Sequence, residues 1–336
     1  MRNAESRCAG PFRMRHSAFR IAGIALLVAC TPPRQSDAER VTVTIPRGAT
    51  FDAAVESLTA RGVVTSPAMF RTYARIRGLP RDLKSGVYSF EHGARWGTVV
   101  NTLRVGRSLE RRLVVPEGLM LTEVAEAAYR QLGIPRDSFL AAARAPEHLA
   151  ALGIASQATT VEGYLFPTTY TVPVNIGAHA LVGVMVGEFR ARWSPRWQPR
   201  LDSLGLTRHE AVILASIVQA EMRYRPDAPY IAAVYHNRLR RGMRLQADPT
   251  VIYAHGRRLR RVWEKNLQIN SPYNTYRHAG LPPGPISQPG EQALAATLFP
   301  TPAPFLYFVA RPDGKHVFSV TYAEHLRAIR DIRRRR

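Results

Sequence analysis

Alternating and helical hydrophobic patterns in the first third of the chain predict a small domain of mixed secondary structure. Apolar and polar residues alternate over residues 41–45, which predicts a β-strand, and a Pro-Arg-Gly turn at residues 46–48 ends it. Apolar residues then recur at helical spacing over residues 51–60 and 67–77. A second run with strand character at residues 86–90 completes the order strand, helix, helix, strand.

A helix in the second half of the chain is apolar on nearly every face. Thr207 and Glu210 have the spacing of a capping box, so the helix is expected to begin directly after Thr207. Because residues 211–218 are apolar apart from one serine, the helix is predicted to lie at the centre of its domain. Glu221 falls in its last turn, and a second helix is predicted over residues 227–241.

Long stretches without clear periodicity follow these helices. Residues 242–250, 271–276 and 280–286 are rich in hydrogen-bonding side chains, glycine and proline, and long irregular loops in compact domains often carry function. The predicted fold class is α+β. A small domain over residues 41–118 precedes a mixed α/β domain over residues 119–336, which has a buried central helix and long loops.

The strand, helix, helix, strand order of residues 41–90 resembles that of the LysM glycan-binding module, and residues 113–118 add a further strand and turn. This resemblance implies that the small domain binds sugars of the bacterial cell wall. Further along, the aromatic residues of segment 163–167 either line a sugar groove or form a core corner fixed by Pro167. The sequence leaves both interpretations open.

The N-terminal residues have the layout of a bacterial export signal. Three arginines between residues 13 and 20 precede an apolar run at residues 21–29 that ends at Cys30. A bilayer span needs about 20 apolar residues, so this run is too short to cross a membrane. Its end, Leu-Val-Ala-Cys, resembles a lipoprotein signal, which predicts cleavage before a lipidated Cys30, and an uncleaved signal anchor is the alternative. We therefore expect an anchor in residues 1–30, a linker in residues 31–40 and a body on the outer face of the cytoplasmic membrane.

The chain is strongly basic, but its net charge does not identify a binding partner. The chain has 47 Lys and Arg residues against 25 Asp and Glu residues, a formal net charge of +22. Such a field favours anionic surroundings, and a general preference for arginine explains it equally well. No nucleic-acid-binding module is recognisable and the export signal directs the chain elsewhere, so nucleic acid is not expected as a partner.

Metal, thiol and serine chemistry find little support in the sequence. Both cysteines, Cys8 and Cys30, lie in the N-terminal segment, so the exported part has no thiol pair for a disulfide or a metal site. His236, His255 and His278 lack the helical pairing of a zinc site, and Ser216 lies in no nucleophile-elbow pattern. We therefore expect no metal and no cofactor.

Glu221 is the strongest candidate for acid–base chemistry. A carboxyl at the end of an apolar helix is costly to ionise, because low-dielectric surroundings and the negative end of the helix dipole both disfavour its charged form. The pKa of Glu221 is therefore expected to be raised, as a general acid for glycan cleavage requires. The alternative is an ordinary glutamate that meets solvent at a helix end.

Motifs in order from about Leu214 to Val309 resemble those of the endolytic murein transglycosylase family, also called MltG or YceG-like. They occupy residues 214–221, 237–239, 242–253, 271–276 and 280–286, and the weaker patterns at residues 84–88 and 115–118 agree. The family usually has two acids in the order Glu-x-Glu in the first motif. Here Gln219 replaces the first acid, and Glu221 keeps the catalytic position. The family usually has a transmembrane anchor, from which Cys30 and the short apolar run depart.

The resemblance implies an enzyme that cleaves the β-1,4 bond between MurNAc and GlcNAc inside a nascent peptidoglycan strand. It leaves a 1,6-anhydro-MurNAc end, which terminates strand elongation, and Glu221 is the implied catalytic residue. Five polar residues are candidates to hold the glycan: Asn237, Gln246, Asp248, Asn274 and Tyr276. Peptidoglycan synthases at the membrane are implied as partners. A non-catalytic wall-binding scaffold and a hydrolase of the same bond are the alternatives.

Overall fold

The computed structural model describes residues 40–334, and its first elements form a hydrophobic core of their own. The strands β1 (Arg40–Ile45) and β2 (Gly86–Glu91) pair antiparallel. Four helices accompany this pair: α1 (Phe51–Ala60), α2 (Pro67–Ile76), α3 (Leu79–Asp82) and α4 (Trp96–Val105). Buried side chains come from both strands and all four helices, among them Val43, Leu58, Phe70, Leu79, Tyr88 and Leu103.

The order of β1, α1, α2 and β2 is the one that the sequence pattern predicts, but α3 was not predicted. Gly78 ends the preceding turn in a left-handed conformation, with φ of 74°, and Pro80 favours the first helical turn of α3. Leu79 is 1% exposed, so this short helix contributes to the core. That the unit is a LysM-like module stays a prediction.

A second core surrounds β3 (Glu110–Val114) and β4 (Thr169–Pro173), which pair antiparallel. Five helices accompany these strands: α5 (Leu121–Leu132), α6 (Arg136–Ala142), α7 (Pro146–Leu152), α8 (Ala178–Arg192) and α9 (Gln198–Leu204). The predicted boundary at residue 118 assigns β3 to the small domain, whereas Leu113 of this strand packs into the second core. The division at residue 118 stays a prediction.

The third part of the fold contains four helices followed by a hairpin and a fifth helix. The helices are α10 (Arg208–Glu221), α11 (Ala228–Arg240), α12 (Asp248–Ala254) and α13 (Glu291–Leu298). The strands β5 (Tyr307–Ala310) and β6 (His316–Ser319) form an antiparallel hairpin, on which α14 (Tyr322–Arg334) packs. Within residues 40–334 the strands form three two-stranded sheets, which with the helices and long loops give a mixed α/β architecture.

The helix α10 is central, as its hydrophobic pattern predicts. The Thr207 hydroxyl accepts a hydrogen bond from the Glu210 amide over 3.2 Å, and the Glu210 carboxylate accepts one from the Thr207 amide over 2.8 Å. Residues 211–218 are all buried and contribute to both the second and the third hydrophobic core. The apolar body of the helix is thereby held on all sides, and its last turn reaches the edge of the core.

The predicted anchor in residues 1–30, its lipidation site Cys30, and all of the predicted linker except Arg40 lie outside the described residues. Within residues 40–334, no helix is both long and apolar enough to span a bilayer. Anchoring at the membrane therefore stays a prediction.

Candidate active site

A cleft of about 790 Å³ at the end of α10 brings several of the candidate residues together. Glu221 lines it beside Tyr235 of α11 and Asp248 of α12. The hairpin and α14 complete the lining, with Tyr307 and Tyr322 among their side chains. The last turn of α10 therefore presents Glu221 to an open cleft.

The environment of Glu221 favours its protonated form. The side chain is partly buried, and Tyr235 donates a hydrogen bond to its Oε1. Burial raises the pKa of Glu221 to about 7, and the negative charge of Asp248 adds to the rise. The hydrogen bond from Tyr235 and the positive charge of Arg223 act in the opposite direction. A carboxyl with a pKa near 7 both donates and accepts a proton at neutral pH.

Asp248 and Tyr276 form a hydrogen-bonded pair in the same cleft. The Tyr276 hydroxyl donates to Oδ1 of Asp248 over 2.6 Å. Burial is the first cause that raises the pKa of Tyr276, and the bond to Asp248 is the second, so the phenol keeps its proton. Asp248 is also the first residue of α12, where the helix dipole favours a negative charge.

Gln246 lines the cleft in an unusual backbone conformation. Its φ is 49°, the only positive value at a non-glycine residue in the described part of the chain. Its backbone N–H donates to the Thr275 carbonyl over 3.2 Å, and the backbone N–H of Ala247 donates to the Thr275 hydroxyl over 3.0 Å. These bonds hold the loop before α12 in place. A left-handed residue other than glycine costs roughly 1–2 kcal/mol, and such residues cluster at functional sites.

Two of the predicted glycan-binding residues, Asn237 and Asn274, do not line the cleft. Asn237 is 8% exposed, and its amide donates to two carbonyls of segment 303–305, each over 2.8 Å. Asn274 is fully buried, and its amide donates to two carbonyls of segment 267–269, over 2.8 and 2.9 Å. Both side chains therefore tie loops together, and their amide hydrogens are not available to a sugar.

Arg238 lines the cleft and was not among the predicted site residues. Its side chain is nearly buried, with Nε donating to the Leu306 carbonyl and Nη1 to the Leu245 carbonyl, each over 2.7 Å. The guanidinium also lies 5.2 Å from the centre of the Tyr307 ring. Arg238 thus joins α11 to the hairpin and to Leu245, the residue before Gln246. Arg238 follows the apolar residues of α11 at helical spacing, and this sequence pattern could have predicted that its side chain is buried.

Glu162 is a buried carboxyl, 4% exposed, and it does not line the cleft. It accepts hydrogen bonds from the Leu121 amide, over 2.9 and 3.0 Å, from the Tyr253 hydroxyl, over 3.3 Å, and from Nε2 of Gln288. Burial raises the pKa of Glu162 to about 8. The segment that follows, residues 163–167, buries its aromatic side chains, so it forms a core corner and no sugar groove. Glu162 therefore links α5, α12 and the loop before α13.

Gln219, which the resemblance places at the position of a first acid, does not line the cleft. Its Oε1 accepts a hydrogen bond from the Gly290 amide over 3.0 Å, and its Nε2 donates to Glu117 over 3.4 Å. A glutamate at this position would place a second negative charge beside Glu117. The like charge that acts on Glu221 comes from Asp248.

Known proteins with this sequence pattern and fold include enzymes of the cell wall. Residues 43–331 match the YceG-like family. An endolytic murein transglycosylase of Bacillus subtilis is 30% identical over 312 residues, which cover 88% of this chain and 86% of the relative. An endolytic murein transglycosylase of Streptococcus pneumoniae is 29% identical over 86% of this chain, which spans 58% of that longer relative. The crystal structure of a putative YceG-like protein from Listeria monocytogenes matches with a TM-score of 0.60 and 30% identity, covering 87% of this chain and 99% of the other. The chain therefore belongs to the YceG-like family.

Proposed function

We propose that this protein is a lytic transglycosylase that cuts the β-1,4 bond between MurNAc and GlcNAc inside peptidoglycan strands. The relatives in Bacillus subtilis and Streptococcus pneumoniae are named endolytic murein transglycosylases. The observation that carries the proposal is Glu221, a partly buried carboxyl with a pKa of about 7 that faces a cleft. Its position in the first motif matches the family's catalytic acid.

One carboxyl suffices for this reaction. Protonated Glu221 gives its proton to the glycosidic oxygen as the bond between that oxygen and C1 of MurNAc breaks. The carboxylate then accepts the proton of the same sugar's 6-hydroxyl while that oxygen bonds to C1. A 1,6-anhydro-MurNAc end forms without consumption of water, and Glu221 is protonated again.

The other cleft residues support this chemistry in different ways. The charge of Asp248 helps to keep Glu221 protonated until substrate binds, since it raises the pKa of Glu221. Gln246 and Tyr276 line the cleft and have hydrogen-bonding groups that suit sugar hydroxyls. Asn237 and Asn274 act indirectly, because each holds a loop through backbone carbonyls.

A hydrolase of the same bond is the second candidate, because Asp248 shares the cleft with Glu221. A glycosidase uses a second carboxylate either to activate water or to attack the sugar. The two reactions differ in their products, since a hydrolase leaves a reducing end. A non-catalytic scaffold would not require Glu221.

Digestion of purified peptidoglycan by the full chain, followed by mass spectrometry of the products, tests the proposal. We expect 1,6-anhydro-MurNAc ends, and we expect Glu221→Gln to lower their rate of formation by at least about 10²-fold, the usual contribution of acid–base catalysis. Glu56→Gln, which changes an exposed carboxyl on α1, is the matched control. Activity of Glu221→Gln equal to that of the control would overturn the assignment, and reducing ends would replace the transglycosylase with a hydrolase.

We also propose that residues 1–30 anchor the protein to the cytoplasmic membrane, with the body on its outer face beside peptidoglycan synthases. The anchor is either a lipidated Cys30 or an uncleaved signal segment. Labelling of cells with an alkyne fatty acid distinguishes them. Label on the parent protein but not on Cys30→Ala supports lipidation, and unlabelled proteins of full length support the signal anchor.

The small domain in residues 41–118 is proposed to bind wall glycan. Its β1–β2 sheet and helices α1 to α4 have a separate hydrophobic core, so a fragment of residues 40–107 is expected to fold. Retention of this fragment on peptidoglycan washed with salt would support the proposal, since salt removes nonspecific adhesion of a basic fragment. No retention would make the domain a spacer.

A further inference from the structure

Four exposed arginines line the cleft that contains Glu221. They are Arg223, Arg260, Arg261 and Arg333. Among residues 40–334, no ion pair includes any of these four side chains, whereas the neighbouring Arg258 pairs with Glu123 over 2.7 Å. Arg258 thus has an acidic partner at ion-pair distance, whereas the four cleft arginines have none among residues 40–334, and Arg223 acts on Glu221 only through its charge.

The cleft consequently carries an excess of positive charge. Its carboxyls are Glu221 and Asp248, and Asp248 already accepts a hydrogen bond from Tyr276. Because its pKa is raised to about 7, Glu221 carries less than a full negative charge at neutral pH. A cleft lined by one sign of charge concentrates ligands of the opposite sign. The sugar rings of a glycan are uncharged, so the ligand that suits these arginines is an acidic substituent.

The geometry of Arg261 restricts how its guanidinium can bind a ligand. The group lies 4.3 Å from the centre of the Trp263 ring, and Trp263 is itself 54% exposed. Stacking on an indole limits the rotamers of the arginine and leaves the N–H groups at its edge free to donate. A planar fork of donors held in this way matches the two oxygens of a carboxylate.

We propose that Arg260 and Arg261 form a carboxylate-binding subsite of this cleft, which recognises acidic groups carried by the strand near the bond that is cut. The inference rests on the proposed function. In strands without peptides, the acidic group is the lactyl carboxylate of MurNAc. In strands with stem peptides, it is a carboxylate of the peptide.

A binding measurement separates this subsite from catalysis. Full-length Glu221→Gln protein provides an inactive background, in which Arg260→Gln and Arg261→Gln are combined. The control combines Arg257→Gln and Arg330→Gln, which remove the same charge from exposed positions that do not line the cleft. Each protein is titrated with soluble peptidoglycan strands and with the same strands after their carboxylates have been converted to neutral amides.

We expect the Arg260/Arg261 variant to bind the acidic strands about tenfold or more weakly than the control, because two charge-assisted hydrogen bonds are lost. On amidated strands the two proteins should bind equally. Equal binding of acidic strands, or an equal loss on amidated strands, would overturn the subsite even if the wild-type enzyme cleaves peptidoglycan. Failure of the wild type to cleave would instead overturn the function on which the subsite rests.

Strands stripped of peptide by an amidase identify the source of the acidic group. A loss of binding on stripped strands alone assigns the subsite to the lactyl carboxylate, and a loss on both kinds of strand shows that the subsite takes either carboxylate. A loss that occurs on peptide-bearing strands alone assigns it to the stem peptide.

Discussion

The Tyr235 hydroxyl donates a hydrogen bond to Oε1 of Glu221 over 3.3 Å. Tyr235 is 1% exposed, so the bond is made by a fixed group within the core. It stabilises the charged form of Glu221 and lowers its pKa, while burial and the charge of Asp248 raise it to about 7. Tyr235 and Asp248 thus shift the pKa of Glu221 in opposite directions.

Tyr235→Phe is expected to move the alkaline limb of the pH–rate profile to higher pH. A general acid must be protonated, so activity falls as the pH rises through the pKa of Glu221. Loss of the hydrogen bond raises that pKa. The maximal rate should stay within about tenfold of the wild type, because no reacting group is removed. A limb that is unmoved, or that moves to lower pH, would contradict the role of Tyr235.

Asp248→Asn is expected to shift the same limb in the opposite direction. Removal of the negative charge lowers the pKa of Glu221, so activity declines at a lower pH. The rate at the optimum should also fall, because the Tyr276 hydroxyl loses a charged acceptor. The fall should be smaller than that of Glu221→Gln. A loss equal to that of Glu221→Gln, with reducing ends as the residual product, would favour the hydrolase.

Glu221→Gln is expected to stabilise the protein at alkaline pH and leave its stability unchanged in acid. The folded-state pKa of Glu221, about 7, lies above its unfolded value, so the favourable contribution of the protonated carboxyl is lost as pH rises through 7. Glutamine does not titrate. The gain in free energy of unfolding at pH 8 should be on the order of 1–3 kcal/mol and should vanish near pH 4. Urea unfolding at the two pH values measures it, and a gain that is independent of pH would contradict the assignment.

Gln246→Gly and Gln246→Ala separate backbone strain from side-chain function. Glycine adopts a φ of 49° without steric cost, whereas alanine keeps the strain of the left-handed conformation. The glycine variant should therefore be more stable than the alanine variant by about 1 kcal/mol in urea unfolding. Both variants should lose kcat/KM to a similar extent, since both lack the amide that lines the cleft. Full activity in the glycine variant would limit Gln246 to a structural role.

Local patterns made the central helix predictable, while the neighbours of Glu221 depend on long-range packing. The capping box and the apolar residues 211–218 lie within one element, so their periodicity and spacing were visible in the sequence. Tyr235 approaches Glu221 from a different helix, and Asp248 approaches through an irregular loop. Hydrophobic periodicity in the sequence does not predict that these side chains come close to Glu221.

Which of the predicted glycan-binding residues face the cleft also depends on long-range packing. Gln246 and Asn274 are both polar side chains in family motifs, but only Gln246 lines the cleft. The amide of Asn274 is held by two backbone carbonyls of its own loop. Whether a loop amide faces a ligand or its own backbone is decided by tertiary packing, so sequence motifs alone did not separate the two residues.

The two sides of the cleft differ in how firmly they are held. The helix α10 buries residues 211–218 completely, whereas α14, which lends Tyr322 and Ile329 to the lining, has no buried residue anywhere in its described length. Backbone amides of α14 should therefore exchange with deuterium through local opening, while those of α10 should wait for global unfolding. If the α14 wall opens locally in this way, a long polymer can enter the cleft from the side. Such an opening would let the enzyme take up a strand without threading it from one end. Cleavage in the middle of a strand requires entry of this kind.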